Sequence, residues 1–151
     1  MNTSFSVALR YGTFVTIALI AYFLVLRLFG LHENPWLRLF NGVVMAFGIF
    51  YSIKYYKLKT GKAFTYVDGF KTGLVTGFIG TILFTAFMAI YMFHLDPDFT
   101  QKLLGEWFNN YDTGAGILVF IILIEGLSSS VILTLTFMQI FKKSNNLPQK
   151  E

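Results

Sequence analysis

The sequence predicts an all-α integral membrane protein: a four-helix transmembrane bundle with a short amphipathic outer helix between spans three and four. Three observations predict it. Residues 72–95 contain no Asp, Glu, Lys or Arg, and a span needs about 20 mostly apolar residues to cross about 30 Å of hydrocarbon. Three more apolar stretches of similar kind occur along the chain. Charged residues make up only 13% of the composition and hydrophobic ones 55%, where soluble domains carry about 25% charged residues.

The first span is expected over residues 11–31, after Arg10, with Arg27 near its far end where a long side chain can snorkel to the headgroups. His32-Glu33-Asn34-Pro35 forms a turn. The second span is expected over residues 36–55, with Arg38 and Lys54 near its ends, and Lys57, Lys59 and Lys62 follow in a loop with Gly61. The third is expected over residues 72–95, after Asp68 and Lys71. The fourth is expected over residues 116–141. Together they make one transmembrane domain, residues 1–141. The tail, residues 142–151, is rich in Ser, Asn, Pro and Lys and reads as disordered.

Between spans three and four, Asp96 suits an N-cap and Pro97 the first helical position. Phe99, Leu103, Leu104, Trp107 and Phe108 then recur at helical spacing among polar residues. This outer helix is either an interfacial anchor or a lid over a cavity.

Nine of the twelve basic residues fall on one face: Arg10, Lys54, Lys57, Lys59, Lys62, Lys71, Lys142, Lys143 and Lys150. Arg27, Arg38 and Lys102 fall on the other. The positive-inside rule places the nine, and both termini, in the cytoplasm. Tyr51, Tyr55, Tyr56 and Tyr66 on the inner side, and Trp36, Trp107 and Tyr111 on the outer, are expected interfacial anchors. The net charge of +4 therefore points to membrane lipids and not to nucleic acid. A cleaved signal peptide is not expected, since no small-residue cleavage site follows the first apolar segment.

Lipid tails remove the hydrophobic drive between helices, so close packing of small residues must replace it. Span three supplies Gly69, Gly73, Gly77, Thr81, Thr85 and Ala89 every four residues, with Gly80 widening the surface. Span four offers Gly126, Ser130 and Thr134 at the same spacing. The expected role of Gly69, Gly73, Gly77, Gly80 and Gly126 is helix packing within the chain; a homo-oligomer interface is the alternative.

Glu125 is the acid deep inside a span. It lies about 5 Å from the expected midplane of span four at 1.5 Å per residue. A charged residue near a helix centre costs about 2.5–3.5 kcal/mol on the insertion scale, and each Leu, Ile, Phe or Val returns about 0.3–0.6. The run 117–124 outweighs that cost, so span four can insert. Glu125 is expected to face the bundle interior. Three roles compete: hydrogen-bonded glue with Ser128 and Ser129, which share its face; a titrating site in transport of a proton or cation; or an ion pair with Arg27.

No nucleophile–base arrangement, phosphate loop or zinc-protease signature is present, and no enzymatic chemistry is expected. Cys is absent, which removes thiol nucleophiles, disulfides and thiolate metal sites. His32, Glu33, His94, Asp96 and Asp98 gather near the outer boundary but at no diagnostic spacing, so no metal or other cofactor is expected.

Several local motifs carry a resemblance: Tyr11-Gly12, the basic-aromatic stretch 51–62, Phe64-Thr65-Tyr66, Gly69-Phe70-Lys71-Thr72-Gly73 and Asp96-Pro97-Asp98-Phe99. On these the chain resembles a group of small four-span bacterial membrane proteins filed as a domain of unknown function. The resemblance implies a four-helix architecture in the bacterial cytoplasmic membrane. It implies no activity and carries no site residues. The expected function is a structural or binding role within the membrane. The rival is a small proton- or cation-coupled transporter using Glu125.

Overall fold

The computed structural model describes residues 4–32, 34–107 and 114–142. Glu33, Phe108, Tyr111, Asp112 and the tail beyond Lys142 lie outside them, as do the side chains of Pro35, Glu106 and Trp107. The described residues contain no strand. Four of their helices are long and apolar enough to cross a membrane.

α1 runs Ser4–Leu28. It ends in a Schellman motif: Gly30 takes a left-handed φ of 67°, its N–H bonds Arg27 O at 3.0 Å, and Leu31 N–H bonds Leu26 O at 2.9 Å. Glycine meets that φ without Cβ strain. α2 is a single turn, Pro35–Arg38, whose N-cap Asn34 accepts from Trp36 N–H at 3.0 Å. α3 follows over Phe40–Thr60 and stops at Gly61, φ 55°, before a 3₁₀ turn, Gly61–Ala63. α4 spans Tyr66–Ile90. Thr65 caps it by accepting Asp68 N–H at 3.2 Å and donating to Asp68 Oδ2 at 2.6 Å. A π-helical turn, Tyr91–Leu95, extends it. α5 occupies Pro97–Trp107 and α6 Gly116–Phe141.

Three helix limits differ from the hydropathy reading. α1 starts seven residues before the expected residue 11 and stops short of residue 31. α4 starts at Tyr66, not at residue 72. Residues 35–38 form a separate turn, and α3 carries Lys57 and Lys59 in its last turn instead of releasing them to a loop. Where the helices run longer, hydropathy marks only hydrocarbon while helical hydrogen bonding continues into the headgroups; where α1 stops early, the left-handed Gly30 ends it.

α4 packs against α1, α3 and α6, and α3 also touches α1 and α6. Glycine contacts make this closeness possible. A Cβ on Gly77 would stand 2.5 Å from Ser130 Oγ, and one on Gly126 would stand 2.5 Å from Thr81 Cγ2. Gly73 lies against Ile53 and Thr134, Gly69 against Phe64 and Met138, and Gly80 against Val15. All five glycines thus face neighbours inside the chain. A hydrogen bond reinforces the seam: Ser52 Oγ and Thr76 Oγ1, both buried, are 2.7 Å apart between α3 and α4. Lys57 Nζ donates to Phe141 O at 3.1 Å, capping the negative end of the α6 dipole from α3.

Two apolar clusters flank this seam. One, toward the chain termini, contains Met45, Ile49, Ile53 and Met138. The other lies toward α5 and contains Leu19, Phe23, Phe84, Met88, Tyr91 and Phe99 among others.

Candidate functional site: a polar cavity between the spans

α6 buries Ser130, Thr134 and Met138, and Gly126 continues that row against α4. One residue of helix turns the side chain by about 100°. Glu125 therefore leaves the packed face and is exposed on the chain's surface, at the wall of a cavity of about 190 Å³. Glu125 thus meets the cavity between the spans, while Gly126 beside it packs against Thr81 on α4.

Every long helix contributes to the cavity. α1 gives Leu19, Tyr22 and Phe23; α3 gives Asn41, Gly42 and Met45; α4 gives Thr81, Phe84 and Thr85; α6 gives Ile122, Glu125, Gly126 and Ser129. His32 and Arg38 come from the α1–α3 connection, and Phe99 and Leu103 come from α5.

Its polar lining is unusual. Among the described residues, five buried side-chain atoms have no hydrogen-bond partner: His32 Nδ1, Asn41 Oδ1, Thr81 Oγ1, Thr85 Oγ1 and Thr134 Oγ1. The first four belong to cavity-lining residues. Helical hydroxyls normally satisfy themselves on the carbonyl one turn back. Thr13, Thr16, Thr72, Thr76, Ser130 and Thr136 do so here, at 2.7–2.9 Å. Thr81 and Thr85 do not. A buried polar atom left unsatisfied costs about 1–3 kcal/mol, so this lining is expensive unless something enters to bond it.

α5 closes the cavity. Phe99, Thr100 and Leu103 are buried, and the Phe99 ring lies 4.8 Å from the His32 ring and 5.9 Å from Tyr91. Thr100 Oγ1 donates to Met92 O at 2.9 Å. Asp96 fastens the entry to α5. Its Oδ1 accepts Phe99 N–H at 3.1 Å, and its Oδ2 accepts Tyr91 O–H at 2.8 Å. These two bonds, with the nearby charges of Arg27 and His32, hold its carboxyl below the ordinary aspartate value despite some desolvation.

Arg27 is committed to this latch. Its Nη2 is 3.8 Å from Asp96 Oδ2, and its guanidinium lies 5.0 Å from the Tyr91 ring centroid. The expected pairing with Glu125 is not formed, because Arg27 lies at the end of α1 beside the π turn, a different level of the bundle. Ser129 shares the cavity wall with Glu125, whereas Ser128 is exposed and lines no part of it. No group of three or more His, Asp or Glu among the described residues gathers to hold a metal ion.

Sequence reasoning missed His32, Arg38, Thr81 and Thr85 as wall residues. The two threonines occupy the small-residue row of span three, and spacing alone reads that row as packing. The usable signal is that the row changes from glycine to hydroxyl at Thr81, a residue that packs on Gly126 and also lines the cavity.

No curated protein and no solved structure matches the chain. A family model described as "Protein of unknown function (DUF4199)" matches residues 10–143, which takes in most of α1, the whole of the other three long helices and every wall residue of the cavity. With its four membrane-capable helices, the chain belongs to this family of proteins of unknown function.

Proposed function

We propose that the protein is an intramembrane binding protein whose cavity takes a small ligand bearing hydrogen-bond donors, with an alkylammonium group as the best-fitting chemistry. The observation that carries this reading is that four unpartnered buried polar atoms belong to residues lining one cavity. Asn41 Oδ1 can only accept, the threonine hydroxyls can accept, and the Glu125 carboxyl supplies further acceptor oxygen. Phe23 and Phe84 offer ring faces that attract a cation. The reading assigns no reaction to the chain.

Titration of the purified protein with n-butylammonium tests it. A charge-assisted hydrogen bond contributes roughly 1.5–3 kcal/mol, so Glu125→Gln is expected to weaken binding by about tenfold or more. Its melting curve should stay unchanged, since Glu125 lies off the packed face. Equal affinity in the two proteins would contradict the reading.

Proton- or cation-coupled transport is the second reading, favoured by the reach of the cavity to Glu125. Substrate flux in proteoliposomes that disappears in Glu125→Gln would support it over simple binding.

The membrane we propose is the bacterial cytoplasmic membrane, with both termini on the cytoplasmic side. The support for that orientation is the nine-to-three distribution of basic residues. A reporter active only in the cytoplasm should give signal at the C-terminus and none when inserted near Glu106; the reverse pattern would invert the topology.

A further inference from the structure

A second concavity lies on the outside of the bundle, between α1 and α3. Tyr11, Phe14, Val15 and Ala18 form one wall, and Val44, Phe47, Gly48 and Tyr51 the other. Its volume is about 420 Å³ and its lining is almost wholly apolar. Val15 sits directly on Gly48, so the two helices meet closely at the floor of the groove. Residues 11–18 rise by about 10 Å along α1, so the groove runs lengthwise through about a third of the hydrocarbon layer. Phe14 and Phe47 stand more than half exposed beside it.

One end of the groove is cationic. Arg10 stands 5.9 Å from the Phe14 ring centroid and Lys54 stands 5.9 Å from that of Tyr51, so each wall carries a cation on one of its own rings. Lys59 lies 5.3 Å from the Tyr55 ring, and Tyr55 lies 5.7 Å from Tyr11. Among the described residues, no carboxylate comes within ion-pair distance of Arg10, Lys54 or Lys59. Uncompensated cations at the headgroup end of an acyl-sized apolar groove match one occupant. We infer that this groove is a binding site for an anionic phospholipid, its acyl chain lying along Val15 and Gly48 and its phosphate between Arg10 and Lys54. The site is separate from the polar cavity and does not depend on the function proposed for it.

Native mass spectrometry of the full chain in detergent, with phosphatidylglycerol or phosphatidylcholine added, tests the inference. The wild type should retain phosphatidylglycerol in preference to phosphatidylcholine. A basic residue near an anionic headgroup contributes roughly fivefold in affinity, so Arg10→Gln with Lys54→Gln should reduce phosphatidylglycerol retention by about 25-fold. Lys62→Gln with Lys71→Gln removes the same charge from the same end of the bundle, away from the groove, and should leave the preference in place. Ala18→Phe, an exposed position, should lower retention of both lipids by filling the groove. Equal losses in the two charge-pair variants would reduce the effect to a diffuse field and overturn the site. Unchanged retention in Ala18→Phe would also overturn it, by showing that the chain lies elsewhere.

Discussion

Gly77 and Glu125 show how little separates packing from binding on these helices. A Cβ at Gly77 would come within 2.5 Å of Ser130 Oγ and 2.6 Å of its Cβ, so Gly77→Leu must push α4 and α6 apart. Overpacking costs roughly 1–3 kcal/mol, and the melting temperature in detergent is expected to fall by several degrees. An unchanged melt would place that face away from α6. The four-residue glycine spacing made this surface legible in the sequence, because close approach demands residues without bulk. The position of Glu125 was less legible. Spacing placed it within span four, but its azimuth follows from Gly126 claiming the contact with Thr81, a tertiary fact. The Arg27 alternative failed for the same reason: depth read along a chain does not reveal which helix end an arginine meets.

At the scale of elements, α5 is fixed by a latch with a definite pH dependence. Asp96 has a depressed folded value, through its bonds to Phe99 N–H and Tyr91 O–H and then through Arg27 and His32. A depressed carboxylate contributes stability above its unfolded value and loses it as pH falls through the folded one. Thermal stability should therefore hold above about pH 4 and decline below it, the unfolded aspartate value being about 3.9. Asp96→Asn can still cap Phe99, but it loses the charge facing Arg27 and should flatten that acid limb. An acid limb of identical steepness in the variant would show that other carboxylates set it. The α3–α4 seam supports a second measurement. A double-mutant cycle with Ser52→Ala and Thr76→Val should give a coupling of about 0.6 kcal/mol, the average for hydrogen bonds between membrane helices. Zero coupling would leave the 2.7 Å approach without energetic consequence. Helix existence and the N-cap role of Asp96 were legible in local sequence; the Ser52–Thr76 bond was not, since it joins residues on different spans.

For the whole molecule, the hydrophobic pattern was sufficient for a four-helix membrane architecture, because no other arrangement of four such runs satisfies its own backbone in lipid. It could not disclose a cavity, which is made of the space left where α4 changes from glycine to threonine contacts and where α5 folds back over Phe23 and Tyr91. The central claim is that this cavity, mostly apolar but carrying unpartnered polar atoms, is a reachable compartment between the spans. The absence of cysteine allows a direct measurement. In membranes, single variants Ser129→Cys and Ile132→Cys would be treated with a small cationic thiosulfonate reagent. Ser129 lines the cavity one turn from Glu125, while Ile132 is 63% exposed on the same helix and lines no part of it. The account predicts rapid labelling at position 129, where the cavity admits the reagent, and little labelling at position 132, where lipid excludes it. Position 129 reacting no faster than position 132 would contradict it.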